Sequence, residues 1–543
     1  MSPAEMEKRL SEAAKGNLLD RAIKAFDPVR GKARMQARMQ MAAAESSTTA
    51  YVGASRTRRQ LSSWKPLGGD ADTDLMGELP TLRERSRDMI RNIPLATGAV
   101  GTVCTNAVGP GLKPQSRIDR DYLGMTEEDA DAFERNVERE WKLFSSQCDY
   151  GRALNHGALQ FLAFRSVLEN GDSFVNMPYI KRPGDTYGLK LQLIEADRVS
   201  NPNRQRDTDT LVGGVEKDTT GAPVAYYVSK NHPGKAYGST KGEWVKVDAF
   251  TNTGRRNMLH LYQMERIAQS RGIPYLTPVM ETLKMLGKYT DGELMAAVIS
   301  SYFTVILRDK DGNEMDPMKP ETETKAKGTD EDFKLAPGAI LSVGEGQGVD
   351  VVNPGRPNTA FDQFVMSMAR QIGAGLHQPY EVLIKHFTAS YSASRGALLE
   401  AWTFYKKMRH FLVTSFCQPT YEAFFYEAVA NGRIIAPGFF NDPLIRQAYL
   451  GTEWIGPAMG QIDPLKEVNA AEKRLDIGMT TLSQETASYN GGDWDLNHPQ
   501  QVKERKKRLE GGLISEKIPP TDINTNREPD NSSGSDSDRE DGK

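Results

Sequence analysis

The sequence predicts an α+β chain, elongated in its protomer and arranged in layers, on three observations. Helix-period apolar residues recur at Leu82, Met89, Ile90 and Ile93, and again over about 274–300 and 359–376. Between the first stripe and the later two, Leu189, Leu191 and Leu193 alternate with Lys190 and Gln192, the period of a half-buried strand. The two later helical patterns flank a short strand-like insert beginning at Phe303.

Taken in order, Ser2-Pro3-Ala4-Glu5 has the form of a capping box with proline at the first helical position, and Asp27-Pro28 closes the helix that follows. In residues 79–93, Arg83, Arg85, Arg87 and Arg91 fall largely away from the apolar stripe, which predicts an exposed, solvated basic side. Gly109-Pro110-Gly111 is a turn, and Thr126 with Asp129 opens a helix through Phe133, Val137, Trp141 and Phe144. Residues 173–261 read as mostly antiparallel strands, with a turn at Asp218-Thr219-Thr220-Gly221. The pattern from Pro274 to about Ser300 would span roughly 40 Å as a helix. A stripe of Phe361, Phe364, Val365, Met368 and Ile372 marks the second long helix. An aromatic-rich helix is then expected over 398–416, interrupted before Pro419. Asp463-Pro464 opens a further helix ended by Gly478, and the acidic, polar residues beyond Pro519 are expected to be disordered.

At 543 residues the chain exceeds a single hydrophobic core. Apolar residues make up 38% and charged residues 26%, a lean composition that leaves much surface solvated or shared with neighbours. The formal net charge of -3 argues against a general basic grip on nucleic acid, without excluding DNA that passes through. Charge is uneven, with Arg and Lys concentrated over 30–65 and acid over 530–541. Cys104, Cys148 and Cys417 stand too far apart for C-x-x-C chemistry and fit a reducing compartment. No apolar run approaches the roughly 18 residues of a spanning helix and none resembles a signal peptide, so assembly in the cytoplasm and no membrane partner are expected.

The motifs of an enzyme are not found. A nucleotide-hydrolysing motor needs G-x-x-x-x-G-K-[ST], whose amides cradle phosphate, and no such string occurs. Asp309-Lys310-Asp311-Gly312-Asn313-Glu314 places its glycine at position four where a calcium loop needs it at six, and reads as a hairpin turn. Ser62-Ser63-Trp64-Lys65 matches S-x-x-K without the partner motifs of that chemistry. Glu195 and Asp197 could in principle hold a metal, but a charge-assisted hydrogen bond to Arg198 or another neighbour explains them better. The seven histidines include no H-x-x-x-H pair, and no cofactor is expected.

The order of segments resembles the portal proteins of lambda-like tailed bacteriophages over nearly the whole chain. The strings that carry the likeness are residues 82–94 (L-R-E-R-S-R-D-M-I-R-N-I-P), 108–111 (V-G-P-G), 193–199 (L-I-E-A-D-R-V) and 269–274 (Q-S-R-G-I-P). Further on come 379–381 (P-Y-E), 391–399 (Y-S-A-S-R-G-A-L-L), 453–457 (E-W-I-G-P) and 462–467 (I-D-P-L-K-E). The resemblance implies a ring of about twelve subunits with wing, stem, clip and crown layers, and a channel for double-stranded DNA that is packaged into and ejected from the capsid. On that pattern 1–66 is an N-terminal helical arm and basic segment, 67–272 the wing, 273–302 and 357–377 the stem helices and 303–356 the clip. Residues 378–397 are then a channel loop, 398–480 the returning wing helices, 481–515 the crown and 516–543 the acidic tail. Implied partners are a terminase packaging ATPase, head-tail connector proteins and a major capsid or scaffold protein, in the virion. Lys385, His386, Ser390, Ser392, Ser394 and Arg395 are the candidate DNA-facing residues, a mixture that can touch phosphates without reading bases.

Overall fold

The computed structural model describes residues 71–235, 242–301, 361–387, 390–460 and 463–514, short stretches between 23 and 70, and the backbones of Val305–Asp309 and Gln347–Val351. Residues 1–70 and 71–543 form separate units. In the first, the Asp27 carboxylate accepts from the amides of Val29 and Arg30 at 3.1 Å, so the Asp27-Pro28 step closes one helical stretch and opens another. The rest of the expected N-terminal helix, the turn after Asp309 and the tail beyond Pro519 lie outside the described residues.

The second unit is α+β. After a short helix, Ala71–Met76, comes a helical pair, α1 (Leu79–Asn92) and α2 (Pro94–Ala107), whose common boundary is set by Pro94 at the first position of α2. Strand β1 (Lys113–Ser116) follows, then α3 (Glu127–Gln147), opened by Thr126 accepting from the Asp129 amide at 3.2 Å, and α4 (His156–Asn170). The β region holds β2 (Asp172–Asn176), β3 (Gln192–Ile194), β4 (Leu211–Val212), β5 (Val215–Lys217), β6 (Pro223–Ser229), β7 (Trp244–Asp248) and β8 (Met258–Tyr262). These make two antiparallel sheets, ordered β3-β2-β8 and β4-β5-β6-β7. Phe174, Ile194, Val215, Tyr226, Val228 and Met258 pack a small core of their own there.

Helix α5 (Met280–Ser301) and helix α6 (Phe361–Gly375) flank the antiparallel pair β9 (Val305–Asp309) and β10 (Gln347–Val351), in which Val305 faces Val351. Tyr289 of α5 stacks on Phe361 of α6 with ring centroids 5.7 Å apart. A short helix α7 (Tyr380–Ile384) leads to α8 (Tyr391–Leu412), which starts seven residues before the expected Leu398. Ser390 supplies the cap that apolar periodicity cannot report, since after Tyr391 the start of α8 runs Ser-Ala-Ser-Arg-Gly-Ala, with no large apolar residue before Leu398.

The break expected before Pro419 is a single π turn, Val413–Cys417, after which α9 (Gln418–Ala430) continues the helix. The Gln418 amide bonds to the Val413 carbonyl, five residues back, and this wider turn accommodates a proline that would clash with a regular α-helical ladder. Strand β11 (Thr452–Ile455) pairs with β1, followed by α10 (Pro464–Asp476), α11 (Leu482–Asn490) and α12 (Trp494–Glu510). The main core is aromatic where α3, α4 and α9 meet: Trp141, Phe144, His156, Tyr187, Phe416, Tyr421 and Phe424 are all buried. Glycine is required where α4 approaches the turn after α2, because a Cβ on Gly111 would lie 2.4 Å from the Gly157 Cα.

Candidate nucleic-acid interface and the frame that holds it

The frame is a buried ionic cluster centred on Asp172, the first residue of β2. Arg83 Nη2 donates to its carboxylate at 2.9 Å, and Arg271 does so through Nε at 2.5 Å and Nη2 at 3.2 Å. His260 Nε2 lies 3.4 Å away and the Gly272 amide donates at 3.3 Å. Asp172 is fully buried; burial alone would raise its carboxyl, but Arg271, Arg83 and His260 hold it far below the usual carboxylate range. Burial lowers Arg83 to about 10 and also lowers His260 against the pull of Asp172. Arg271 spends its remaining donors on the carbonyls of Ala196, Val199 and Gly213, so one side chain joins both sheets to the end of the β region. Behind it Gly171 and Gly272 are in backbone contact, and a Cβ on Gly171 would come within 2.4 Å of the Gly272 oxygen.

A second shell of charge surrounds Asp197. Arg87 Nη1 donates to it at 2.5 Å, Arg83 Nη1 at 3.3 Å, and His232 Nε2 lies 3.4 Å off. The exposed basic side expected for α1 is therefore corrected at two positions: Arg83 is buried and Arg87 half-buried, while Arg85 and Arg91 do face solvent. Sequence period cannot separate an arginine in water from one aimed at a buried carboxylate, because both lie off the apolar stripe. Arg198 turns away to the carbonyls of Ser229 and Lys230, and the carboxylates of Glu195 and Asp197 are taken by Arg87 and His232. Among the described residues no group of three or more His, Cys, Asp or Glu is placed to hold a metal ion, and no helix is long and apolar enough to cross a membrane.

The cluster connects to the candidate DNA-facing residues through the ends of the long helices. Tyr275, just after the Arg271 segment, donates its hydroxyl to the Leu376 carbonyl at the end of α6. Gln378 Nε2 donates to the Tyr275 oxygen at 3.0 Å and to the Ala99 carbonyl of α2 at 3.2 Å. From this anchored point the chain forms α7 and then leaves the core. Lys385 adopts a left-handed conformation with φ of 56° and ends α7, and Lys385 and His386 are both exposed.

The expected loop over 378–397 is thus two helices and a short link. Ser390 caps α8 by accepting from the Ala393 amide at 3.5 Å; Ser390 and Ser392 are exposed, Ser394 and Arg395 half-buried. Arg395 reaches Glu467 of α10 in a direct ion pair. Lys385 and His386 therefore sit side by side facing solvent, whereas Arg395 is tied to the C-terminal helices. Its partner belongs to the I-D-P-L-K-E string, a signal visible in the sequence whose meaning needed the fold.

Three strings separated by almost two hundred residues, 82–94, 193–199 and 269–274, converge on this one buried cluster, and a fourth, 379–381, starts the short helix that carries Lys385. A further string, 453–457, meets 108–111, where a Cβ on Gly109 would lie 2.5 Å from the Pro457 ring, and beside them Arg409 donates to the carbonyls of Ala107 and Pro457 at 3.0 and 2.7 Å. This framework is that of a phage portal subunit: the model of the phage portal proteins, lambda family, matches residues 57–409, and the chain belongs to that family. Portal protein B of Escherichia phage lambda is 25% identical over 488 residues, covering 85% of this chain and 90% of that protein. The portal protein of Escherichia phage N15 is 25% identical over 481 residues, 84% of this chain and 89% of that one. Among solved structures, a chain of the virion of a native gene transfer agent particle is similar with a TM-score of 0.42 and 13% identity, over 76% of this chain and 93% of that chain.

Proposed function

We infer that this chain is the structural subunit of the channel at one capsid vertex through which double-stranded DNA is packaged and ejected. The observation that carries this reading is the extent of the family match, which includes the Asp172 cluster, both long helices and the segment from Gln378 to Arg395. A closed ring, of about twelve copies, gives the chain the neighbours its surface asks for. On α5, Leu294, Met295 and Val298 are exposed on one side, as is Phe364 of α6, apolar surface that a repeated heterologous contact would cover.

In this reading residues 67–272 and 398–480 make the wing, α5 and α6 the stem, 303–356 the clip and 481–515 the crown. The clip is the docking site for a terminase ATPase and connector proteins, and the wing meets the capsid or scaffold protein. The chain assembles in the host cytoplasm and ends in the virion. Lys385, His386, Ser390 and Ser392 supply weak, sequence-independent contacts to phosphates. Strong contacts would stall a moving duplex and their absence would let it slip back.

Electron microscopy of the purified chain tests the assembly. Rings with a central opening are expected, with no ATP hydrolysis by the chain alone. A monodisperse monomer at micromolar concentration, or ATP turnover that co-purifies with the chain, refutes the reading.

A further inference from the structure

The last helix, α12, presents a surface that the channel residues do not explain. Asp493 caps it, accepting from the amide of Asp495 at 2.9 Å, and Arg117 holds Asp495 at 3.2 Å. Beyond that tie every residue through 508 is exposed, and the helix buries none of its side chains. Helices in proteins take most of their stability from packing, and among the described residues nothing buries the side chains of α12 from Leu496 to Arg508.

Its charge defines the class of partner it would take. Lys503, Arg505, Lys506, Lys507 and Arg508 place five cations in six positions. Glu504, the one acid among them, accepts from Gln500 at 2.7 Å, and among the described residues none of the five cations is in an ion pair. One or two cations in a last turn complement the helix dipole. Five do more than that, because Lys503 meets Lys506 and Lys507, and Arg505 meets Arg508, at the spacings where like charges repel. Lys503, Lys506 and Lys507 share one face over about 6 Å of helix axis. A duplex carrying one charge per about 1.7 Å of its own axis offers several phosphates to that face.

We propose that α12 is a second DNA contact, a lysine face that holds duplex phosphates without regard to sequence and is separate from residues 385–395. Naming DNA as the polyanion rests on the channel reading above. The local excess of cations coexists with a net charge of -3 because acid is concentrated elsewhere in the chain.

The test uses the full chain, a fluorescein-labelled duplex of about 40 base pairs and anisotropy between about 50 and 200 mM salt, conditions over which phosphate contacts are expressed in the salt slope. The variant K503A/K506A/K507A keeps good helix formers at all three positions. It should bind the duplex at least about ten-fold more weakly, with a log–log salt slope shallower by about 2 to 3, at roughly 0.9 per phosphate contact. A second duplex of unrelated sequence should behave identically. Unchanged affinity and slope overturn the proposal, as does loss of binding to a polyglutamate probe with duplex binding intact, which assigns the face to an acidic protein. Circular dichroism checks the helix, and K503Q/K506Q/K507Q repeats the measurement if alanine disturbs it. Imaging the same samples separates the two readings. Rings with unaltered duplex binding by the variant reject the α12 contact alone, whereas absent rings with variant-sensitive duplex binding reject the channel reading alone.

Discussion

Replacing Asp172 with asparagine leaves the shape of the buried cluster almost unchanged and removes its only fully buried negative charge. Arg83 and Arg271, both buried, then face a neutral amide that can accept on one side only and presents hydrogens on the other. Removing one partner of a buried ionic group typically destabilises by about 3–5 kcal/mol, because the remaining charge is left out of water without compensation. With folding free energies of about 5–15 kcal/mol, that is a large share of the total. The unfolding midpoint of D172N should fall by roughly 3–5 °C in a scanning fluorimetry or near-ultraviolet dichroism melt, because unfolding a unit of this size releases on the order of 1 kcal/mol per kelvin of entropy. If the unpaired guanidinium is the cause, the double variant D172N/R83M should recover at least about 1 kcal/mol, since a methionine fills similar space without charge. A midpoint for D172N within about 1 °C of the parent chain would refute the assignment of Asp172 as the hub of the frame.

The Glu138 carboxyl is raised to about 7, by burial first and against the pull of the Ser116 amide that it accepts at 3.1 Å. Folding therefore disfavours its ionised form, stability is lost as pH rises from about 4.5 through 7, and E138Q should stabilise by about 1–2 kcal/mol at pH 8 in denaturant melts, after allowance for partial exposure. His156, lowered to about 3 by burial, must stay neutral in the fold; stability is full above its unfolded value near 6.5 and falls below it by about 1.4 kcal/mol per pH unit. H156F should flatten that acid limb in melts between pH 6.5 and 4, and an unchanged limb would remove His156 as its source. Lys385→Ala should leave rings intact and shorten the DNA packaged per particle, measured by gel analysis of extracted genomes; full-length DNA would return Lys385 to a surface role. R395A and E467A should each loosen α8 from α10, and their double variant should lose about 0.5–1 kcal/mol less than the sum of the two in melts, as half-exposed ion pairs do.

By itself the sequence determined the α+β class, the two long helices around a strand pair, the capped starts at Thr126 and Asp463, and the turn at Asp27-Pro28. Periodicity, caps and prolines are local, and local chemistry fixes them wherever the chain folds. Ordered strings such as 82–94, 193–199 and 269–274 also carried the family. Only the tertiary structure decided what those strings do, because Asp172, Arg83, Asp197 and Arg271 become partners across separations of 89 to 114 residues that no spacing rule relates. The same holds for α8: its first turn lacks an apolar stripe, so its start at Ser390 became visible only as a cap, and Arg395 changed from a free cation to the partner of Glu467. The basic run of α12 was in plain view in the sequence, yet a charge run acquires meaning only when the fold shows whether acid from elsewhere covers it, and along α12 none does among the described residues.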